Sequence, residues 1–470
     1  MLLAKRGSDE DGHAVRVVAR ILSLDLGTSS VRAQVYDESA EAVAGAEARR
    51  PYEPVDGVLD PELLVEAARA AVEEALCRHG EPVDAHATSC FWHSLLALDA
   101  SDRPLTPVLT WRDLRSASQA GALLHRLDGD AVHARTGCVL HPSYWPAKLA
   151  WLREEEGESF ARAARFVSFP DYLLLRLAGE LRSSVSQASA TGLWSRDGWD
   201  AELLDELGLE PGRLPQVSDE PLGGSLPAPF FPAWGDGACS NVGAGCVTPE
   251  RAALMIGTSG ALRVARPDDG SAPRRGLFLY RADATRVVEG GSLSDGGNLH
   301  AWLERTLRLP EGARIADRAP DGHGLTFLPL LGGERSPGWR VAARGSVAGL
   351  TLETEPLDLL QAALEGVAYR FAEVADLLPE VLDLVATGGA LDANPDWGQI
   401  LADVLGRPVH RGEAEGSARG AAVLALERLG ITVAAPLPVH AYVPRPERLE
   451  AYRLARERQR DLYRDISTGE

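Results

Sequence analysis

The run Asp25-Leu26-Gly27-Thr28-Ser29-Ser30, followed by a cation at Arg32, has the residue types that cradle a phosphate. Gly27 lets the backbone turn where a Cβ would obstruct it, so successive N–H groups and three hydroxyls can face one concavity. Asp25 is placed to hold a hydrated Mg²⁺ against that phosphate, and Arg32 adds positive charge. The structural alternative is a hairpin whose Gly and Ser serve only the turn. The plan recurs about half a chain later, where an apolar run ends in Gly257-Thr258-Ser259-Gly260 and continues into Leu262-Arg263-Val264. One hydroxyl-rich turn in each half predicts two similar domains facing each other, each offering a loop to one polyphosphate, unless two short turns coincide by chance.

Asp236 lies between Gly235 and Gly237, ahead of a small-residue segment that predicts a helix start. Its carboxylate is then unobstructed, and helix N–H groups nearby would keep it ionised as a modest base. A modest base suffices for phosphoryl transfer, where the attacking hydroxyl loses its proton late and positioning does most of the work. A helix cap or turn residue is the alternative. Trp92-His93, and Trp111 with Asp113 and Arg115, could line a sugar site in which indoles pack on C–H faces while carboxylate and imidazole bind hydroxyls. The competing reading is a buried histidine among core tryptophans. Gly388-Gly389, after the run Asp383–Ala386, would let a flat ring such as adenine lie against the backbone, or would serve a tight turn.

Elements of ordinary length can position these residues. Ile21 to Leu24 has a strand's composition, and from Val31 apolar residues alternate with Arg32, Gln34 and Tyr36, the period of a sheet with one buried face. Asp60-Pro61 opens a helix running to Gly80, Gly179 closes another, and Asp200 to Leu207 forms a short amphipathic one. A glycine-rich segment, 289–304, leads into a helix beginning near Asn298. Asn394-Pro395 opens a helix with the stripe Ile400, Leu401, Val404 and Leu405, and Gly406 stops it. Residues 415–430 predict a small-residue helix packed closely beneath it. The charged segment 447–466 predicts a solvated surface helix without chemistry.

Composition narrows the function. With 470 residues the chain fits two domains better than one core, and its 45% apolar and 25% charged residues are ordinary for a soluble enzyme. Lys plus Arg total 48 against 68 Asp plus Glu, for a net charge of −20, and no basic cluster is visible, which argues against nucleic acid and anionic membrane as partners. Five cysteines without a CxxC pair predict reduced thiols in a cytoplasmic protein. The first eighteen residues are too polar after Leu3 for a signal sequence and predict a loose tail; no apolar run reaches the ~18 residues of a membrane helix.

Taken together, DLGTSSVR (25–32), FWHSLLALD (91–99), TWRDLRS (110–116), GDGACSNVGAG (235–245), IGTSGAL (256–262), GGERSPGW (332–339), LEGVAYR (364–370), TGGALDANPDWGQILADVLGRPV (387–409) and EGSARGAA (415–422) resemble the FGGY family of carbohydrate kinases, in order from about Ile21 to about Gly430. The resemblance implies an α/β fold of two actin/Hsp70-type ATPase domains, ribonuclease H-like, flanking a central cleft where ATP and sugar meet. It implies a tail over 1–20, an N-terminal domain over 21–247 with the sugar site and catalytic Asp, and a C-terminal domain over 248–470 with the nucleotide site. By motif position Asp236 matches the catalytic base, itself facing the sugar, and Asp25 the Mg²⁺-associated carboxylate, holding the ion through water. Gly27, Thr28, Ser29 and Arg32 match the first phosphate loop, and Gly257 with Thr258 the second. Gly297, Gly388, Gly389 and Asn394 match nucleotide contacts, and Trp92, His93 and Asp113 sugar contacts. FWHSLLALD and GERSPGW are most similar to gluconate kinases and next to xylulokinases; an aldonate carboxylate would favour a neighbouring guanidinium, with Arg112 and Arg115 as candidates. The expected partners are a small-molecule sugar or sugar acid, with a homodimer allowed. A non-catalytic nucleotide-binding sensor of the same fold is the competing class.

Overall fold

The computed structural model describes residues 18–27, 29–52, 59–223, 228–310, 314–412 and 416–467. Thr28 and most of the N-terminal tail therefore lie outside the described residues. The chain builds two sheets on one plan. In the first lobe β1 (Ile21–Leu26) pairs antiparallel with β2 (Ser30–Tyr36) and parallel with β4 (Ala85–Cys90), while β3 (Ala42–Pro51) extends beyond β2 and β5 (Trp234–Gly235) beyond β4, giving the order β3-β2-β1-β4-β5. In the second, β6 (Arg251–Ile256) pairs antiparallel with β7 (Gly260–Pro267) and parallel with β10 (Asp383–Thr387). β9 (Arg286–Leu293) then plays the part of β3 and β11 (Val409–Arg411) that of β5. Only the edge strands β8 (Phe278–Arg281) and β12 (His440–Tyr442) break the correspondence.

Each sheet buries an apolar face against helices. Leu22, Leu24, Val31 and Val35 pack on Leu64, Val65 and Ala68 of α1 (Pro61–His79). The Asp60 carboxylate caps this helix by accepting from the Glu62 and Leu63 N–H groups at 2.8 and 3.2 Å, and Gly80 closes it at φ +75°. In the second lobe Leu254, Ile256 and Leu262 pack on Leu364, Val367 and Phe371 of the helix Pro356–Asp376. The segment between β4 and β5 folds around its own core, which includes Leu95, Leu109, Trp145 and Phe166. Among the described residues no helix is long and apolar enough to cross a membrane. Every cysteine is a free thiol and only Cys77 is exposed.

Two helices differ from expectation. The small-residue helix Gly416–Arg428 packs not beneath the helix Asp396–Leu405 but against Asp236–Gly243 and strands β1 and β4 of the first lobe. Ser23 Oγ donates to Ala418 O at 2.7 Å, and Ala421, Leu424 and Ala425 join Ile21, Ala85 and Trp234 in one cluster. An ideal Cβ on Gly243 would sit 1.8 Å from Gly416 O, and one on Gly420 1.8 Å from Cys239 O, so these helices touch backbone to backbone. The C-terminal helix Leu449–Ser467 is not simply a solvated element. Tyr452 and Ala455 are buried, Gln459 Nε2 donates to Phe327 O at 2.6 Å, and the Tyr463 hydroxyl donates to Glu334 at 2.7 Å. Its charged residues conceal an apolar and amide stripe one residue in three or four.

Candidate active site

Asp236 stands between the two hairpins. It opens the helix Asp236–Gly243, where its carboxylate accepts from the Gly237 N–H at 2.8 Å, and it is half-buried. Burial pushes this carboxyl up to about 6, with Arg263 of β7 opposing and Asp25 of β1 reinforcing. The sequence suggested that helix N–H groups would hold it fully ionised; desolvation outweighs them. Asp25 and Arg263 come from the strands flanking the two glycine turns, so the carboxylate lies within electrostatic reach of both. Both turns close on the glycine N–H, but differently: Gly27 N–H donates to Ser30 O, three residues on, at 3.1 Å, and Gly257 N–H to Ser259 O, two residues on, at 3.0 Å. Asp25 of β1 is paired directly opposite Arg32 of β2, and Ser29 is exposed at the tip.

Trp92 explains the glycines around Asp236. An ideal Cβ would fall 1.7 Å from Trp92 Nε1 at Gly235 and 2.2 Å from the indole at Gly237, so the ring lies flat against this backbone. Its N–H donates to Ser186 O at 3.1 Å. His93 adopts φ +67° and its Nδ1 is 2.6 Å from Ala190 O, which makes that nitrogen the proton carrier. Burial, then the charge of Arg335, holds its pKa far below the ordinary value, so the ring is neutral. His93 meets Tyr144 and Tyr280 edge to face at 5.0 and 5.3 Å, and the two tyrosine hydroxyls are 2.6 Å apart. Tyr280 belongs to β8, so this aromatic group is closed by both lobes.

Beside it lies a cavity of about 200 Å³ lined by Trp111, His141, Thr258, Asn298 and Arg335 among others. Thr258 at the tip of the second turn therefore faces the tryptophan-bearing segment. The sequence candidates for a substrate carboxylate fare unequally here. Arg115 is spoken for: it grips Asp113 through Nε at 3.0 and 3.1 Å and stacks 4.5 Å from the Trp151 ring centre. Burial works to raise the Asp113 carboxyl, but these hydrogen bonds outweigh it and hold it below the usual range. Arg112 is exposed and lies 5.6 Å over Trp111 at the cavity rim. A larger cavity of about 420 Å³, lined by Arg135, Arg196 and Arg281, has its charges matched already, by Asp200 and Asp268.

On the far side of the second turn three separate segments converge. Gly297 N–H donates to Gly257 O at 2.8 Å at the start of the helix Gly297–Thr306, and an ideal Cβ there would meet Gly257 O at 2.5 Å. Gly388 has φ +108° and no room, with Ile256 O 2.3 Å from an ideal Cβ, whereas Gly389 faces open space. Asn394 closes the group, its Nδ2 3.4 Å from His300 Nε2. The structure thus gathers Gly257, Thr258, Gly297, Gly388, Gly389 and Asn394 on one wall.

Two lobes of matching topology with a carboxylate and paired glycine turns between them define the architecture of an actin/Hsp70-type ATPase, here carrying a polar, aromatic small-molecule pocket. Residues 20–226 match the N-terminal domain, and residues 252–427 the C-terminal domain, of the FGGY family of carbohydrate kinases. The chain is 31% identical to a gluconokinase of Bacillus subtilis over 87% of its own length and 88% of the relative's, and 29% identical to a xylulose kinase of Escherichia coli over 95% and 99%. It superposes on the crystal structure of a gluconate kinase from Lactobacillus acidophilus with a TM-score of 0.87 at 26% identity, covering 96% of this chain and 98% of that one. The protein belongs to the FGGY family and is a carbohydrate kinase, a phosphotransferase.

Several site residues escaped the sequence reading. Arg263 registered only as the polar member of an alternating strand, yet it is 5% exposed beside Asp236. Nothing in the sequence singles out Tyr144, Tyr280, His141 or Lys148. The Lys148 ammonium is buried, bonded to the Pro142 and Ser143 carbonyls, and pushed down to about 7 by burial. Asp295, buried and raised to about 6 by desolvation, anchors the cavity floor through the Gly332 N–H at 3.0 Å and Asn298 at 3.1 Å.

Proposed function

We propose that the protein transfers the terminal phosphoryl group of ATP to a primary hydroxyl of a sugar acid, with D-gluconate as the substrate. The observation that carries this reading is Asp236, a half-buried carboxylate raised to about 6, set between the two glycine turns and against the indole of Trp92. In this reading Gly27, Thr28, Ser29 and Arg32 on one side, and Gly257 and Thr258 on the other, hold the β- and γ-phosphates. Gly297, Gly388, Gly389 and Asn394 hold the nucleotide. Trp92, His93 and Asp113 position the sugar. Asp236 orients the attacking hydroxyl and accepts its proton as the bond to phosphorus forms. Residues from both lobes around Tyr280 exclude water that would otherwise take the phosphoryl group.

Asp25 fits Mg²⁺. On top of the burial that dominates each shift, its negative charge pushes Asp236, Cys90 and Cys239 further upward, the field a divalent cation neutralises. Bound there, through water, the ion would offset negative charge building on the phosphate oxygens. A cytoplasmic location follows from the requirement for ATP and from the reduced thiols. A ketose kinase is the second reading, favoured by the likeness to the Escherichia coli xylulose kinase along almost the whole chain.

A coupled ADP-release screen over gluconate, xylulose, ribulose, glycerol and related polyols tests the reading. Gluconate is expected to give the largest kcat/KM, and no stimulation by any of them would favour a sensor. The pH profile is a further check. Asp236 must be ionised to accept a proton, so kcat/KM is expected to fall about tenfold per pH unit on the acid side of about 6, or somewhat lower where Mg²⁺ stabilises the anion. A profile flat to pH 4.5 would separate the rate from this carboxylate.

A further inference from the structure

We infer that the sugar's anionic end is received by two buried guanidinium groups, Arg263 of β7 and Arg335 of the 332–339 loop, which makes a carboxylate-bearing substrate the class this pocket selects. The inference rests on the kinase reading and replaces Arg112 and Arg115 as the cations in question.

Four observations carry it. Arg263 and Arg335 are 5% and 8% exposed, burial that a charged side chain tolerates only with partners. Yet Arg263 Nε and Nη2, and Arg335 Nε, are enclosed donors that meet no acceptor among the described residues. The two cations also lie close enough to act on each other, so the fold holds like charges together instead of separating them. Finally, both border the same aromatic group: Arg335 lies 5.0 Å over the Trp111 ring and its field reaches His93, His141 and Tyr144, while Arg263 has Nη1 only 2.6 Å from where a Cβ on Gly237 would stand and acts on Tyr280.

The local charge balance points the same way. Among the described residues Asp236 is the carboxylate acting on Arg263. Asp113 is chelated by Arg115, and Glu334, next to Arg335 in sequence, is turned instead to Arg370 and Tyr463. Lys148, buried and within electrostatic reach of Arg335, brings a third basic group to this pocket, where the carboxylates Asp113 and Asp295 are already hydrogen-bonded within the protein. A carboxylate supplies two acceptor oxygens for guanidinium forks and removes the repulsion between them. The terminal phosphate of ATP could supply an anion too, and the test must separate these sources.

The experiment compares gluconate with glucitol, which carries CH₂OH where gluconate carries its carboxylate, under saturating MgATP. The protein as it stands is expected to prefer gluconate by roughly 100-fold in kcat/KM, since donors built for an oxyanion are left unpaired by the polyol. Arg263→Met and Arg335→Met should each collapse that ratio by about tenfold or more, chiefly through KM for gluconate, and Arg263→Lys should restore part of it. Equal kcat/KM for the two substrates in the unaltered protein would overturn the inference whether or not the variants fold, and would leave the kinase reading standing. Equal losses on both substrates in kcat, or in KM for ATP, would reassign the cations to the phosphate and also overturn it. Failure of every sugar to be phosphorylated would remove the kinase reading itself.

Discussion

Asp236→Asn is expected to lower kcat by roughly 10³-fold, within the range that loss of a positioned general base brings, while the KM values for sugar and ATP stay within a few-fold. The amide keeps the shape of the carboxylate beside Trp92 and can still accept from the Gly237 N–H, so the change isolates proton acceptance from packing. Stability should move the other way. The carboxyl is raised in the folded protein from 3.8 to about 6, so the ionised form disfavours folding: the penalty is absent below pH ~3.8, grows as pH rises, and is complete above about 6. Removing the charge at pH 7 should therefore stabilise the fold by roughly 1–3 kcal/mol, after allowing for partial solvent access. Initial rates and thermal unfolding on the same preparations decide it. Near-normal turnover in the variant would take Asp236 out of the reaction.

Gly420→Ala tests the joint between the lobes. Its Cβ would fall 1.8 Å from the Cys239 carbonyl, a backbone atom on a helix whose first residue is Asp236, and no rotamer change can relieve that. The helices must part, and with them Ser23 loses its bond to Ala418 and Arg419 its 2.9 Å bond to Gly243 O. The expected loss is about 3 kcal/mol or more, seen as a fall of several degrees in Tm, with turnover reduced further because Asp236 moves with its helix. Gly121→Ala is the control. It lies within the helix Ala117–Arg126 with no atom within 4 Å of its Cβ, so it should be neutral or slightly stabilising. Equal Tm values for the two variants would show that the close crossing carries no weight.

Local chemistry was legible without coordinates wherever a residue acts on its near neighbours. Asp60-Pro61 and Gly80 bound a helix as expected, Gly179 and Gly406 end theirs in the left-handed conformation, and both glycine turns form hairpins. The glycine beside Ile256 at position 388 was readable as a tight backbone site, though which atom demanded it was not. Long-range placement was less accessible. Residues 415–430 were rightly read as able to pack closely, but small side chains say how near a partner can come, not which partner it is. The C-terminal helix misled for a related reason: five arginines and four acidic residues over nineteen positions masked the thin stripe through Tyr452, Ala455, Gln459 and Tyr463.

The sequence by itself determined the repeated strand–turn–strand unit and the family, and singled out the carboxylates at 25 and 236 as candidates, because these depend on backbone freedom and residue order within short windows. Only the tertiary structure decided which cations matter. Arg112, Arg115, Arg263 and Arg335 are chemically identical side chains; the fold chelates Arg115 to Asp113, leaves Arg112 at the rim, and buries the other two with donors unmet among the described residues. A guanidinium's meaning is set by how much water and how many acceptors surround it, and those come from segments far away in the chain.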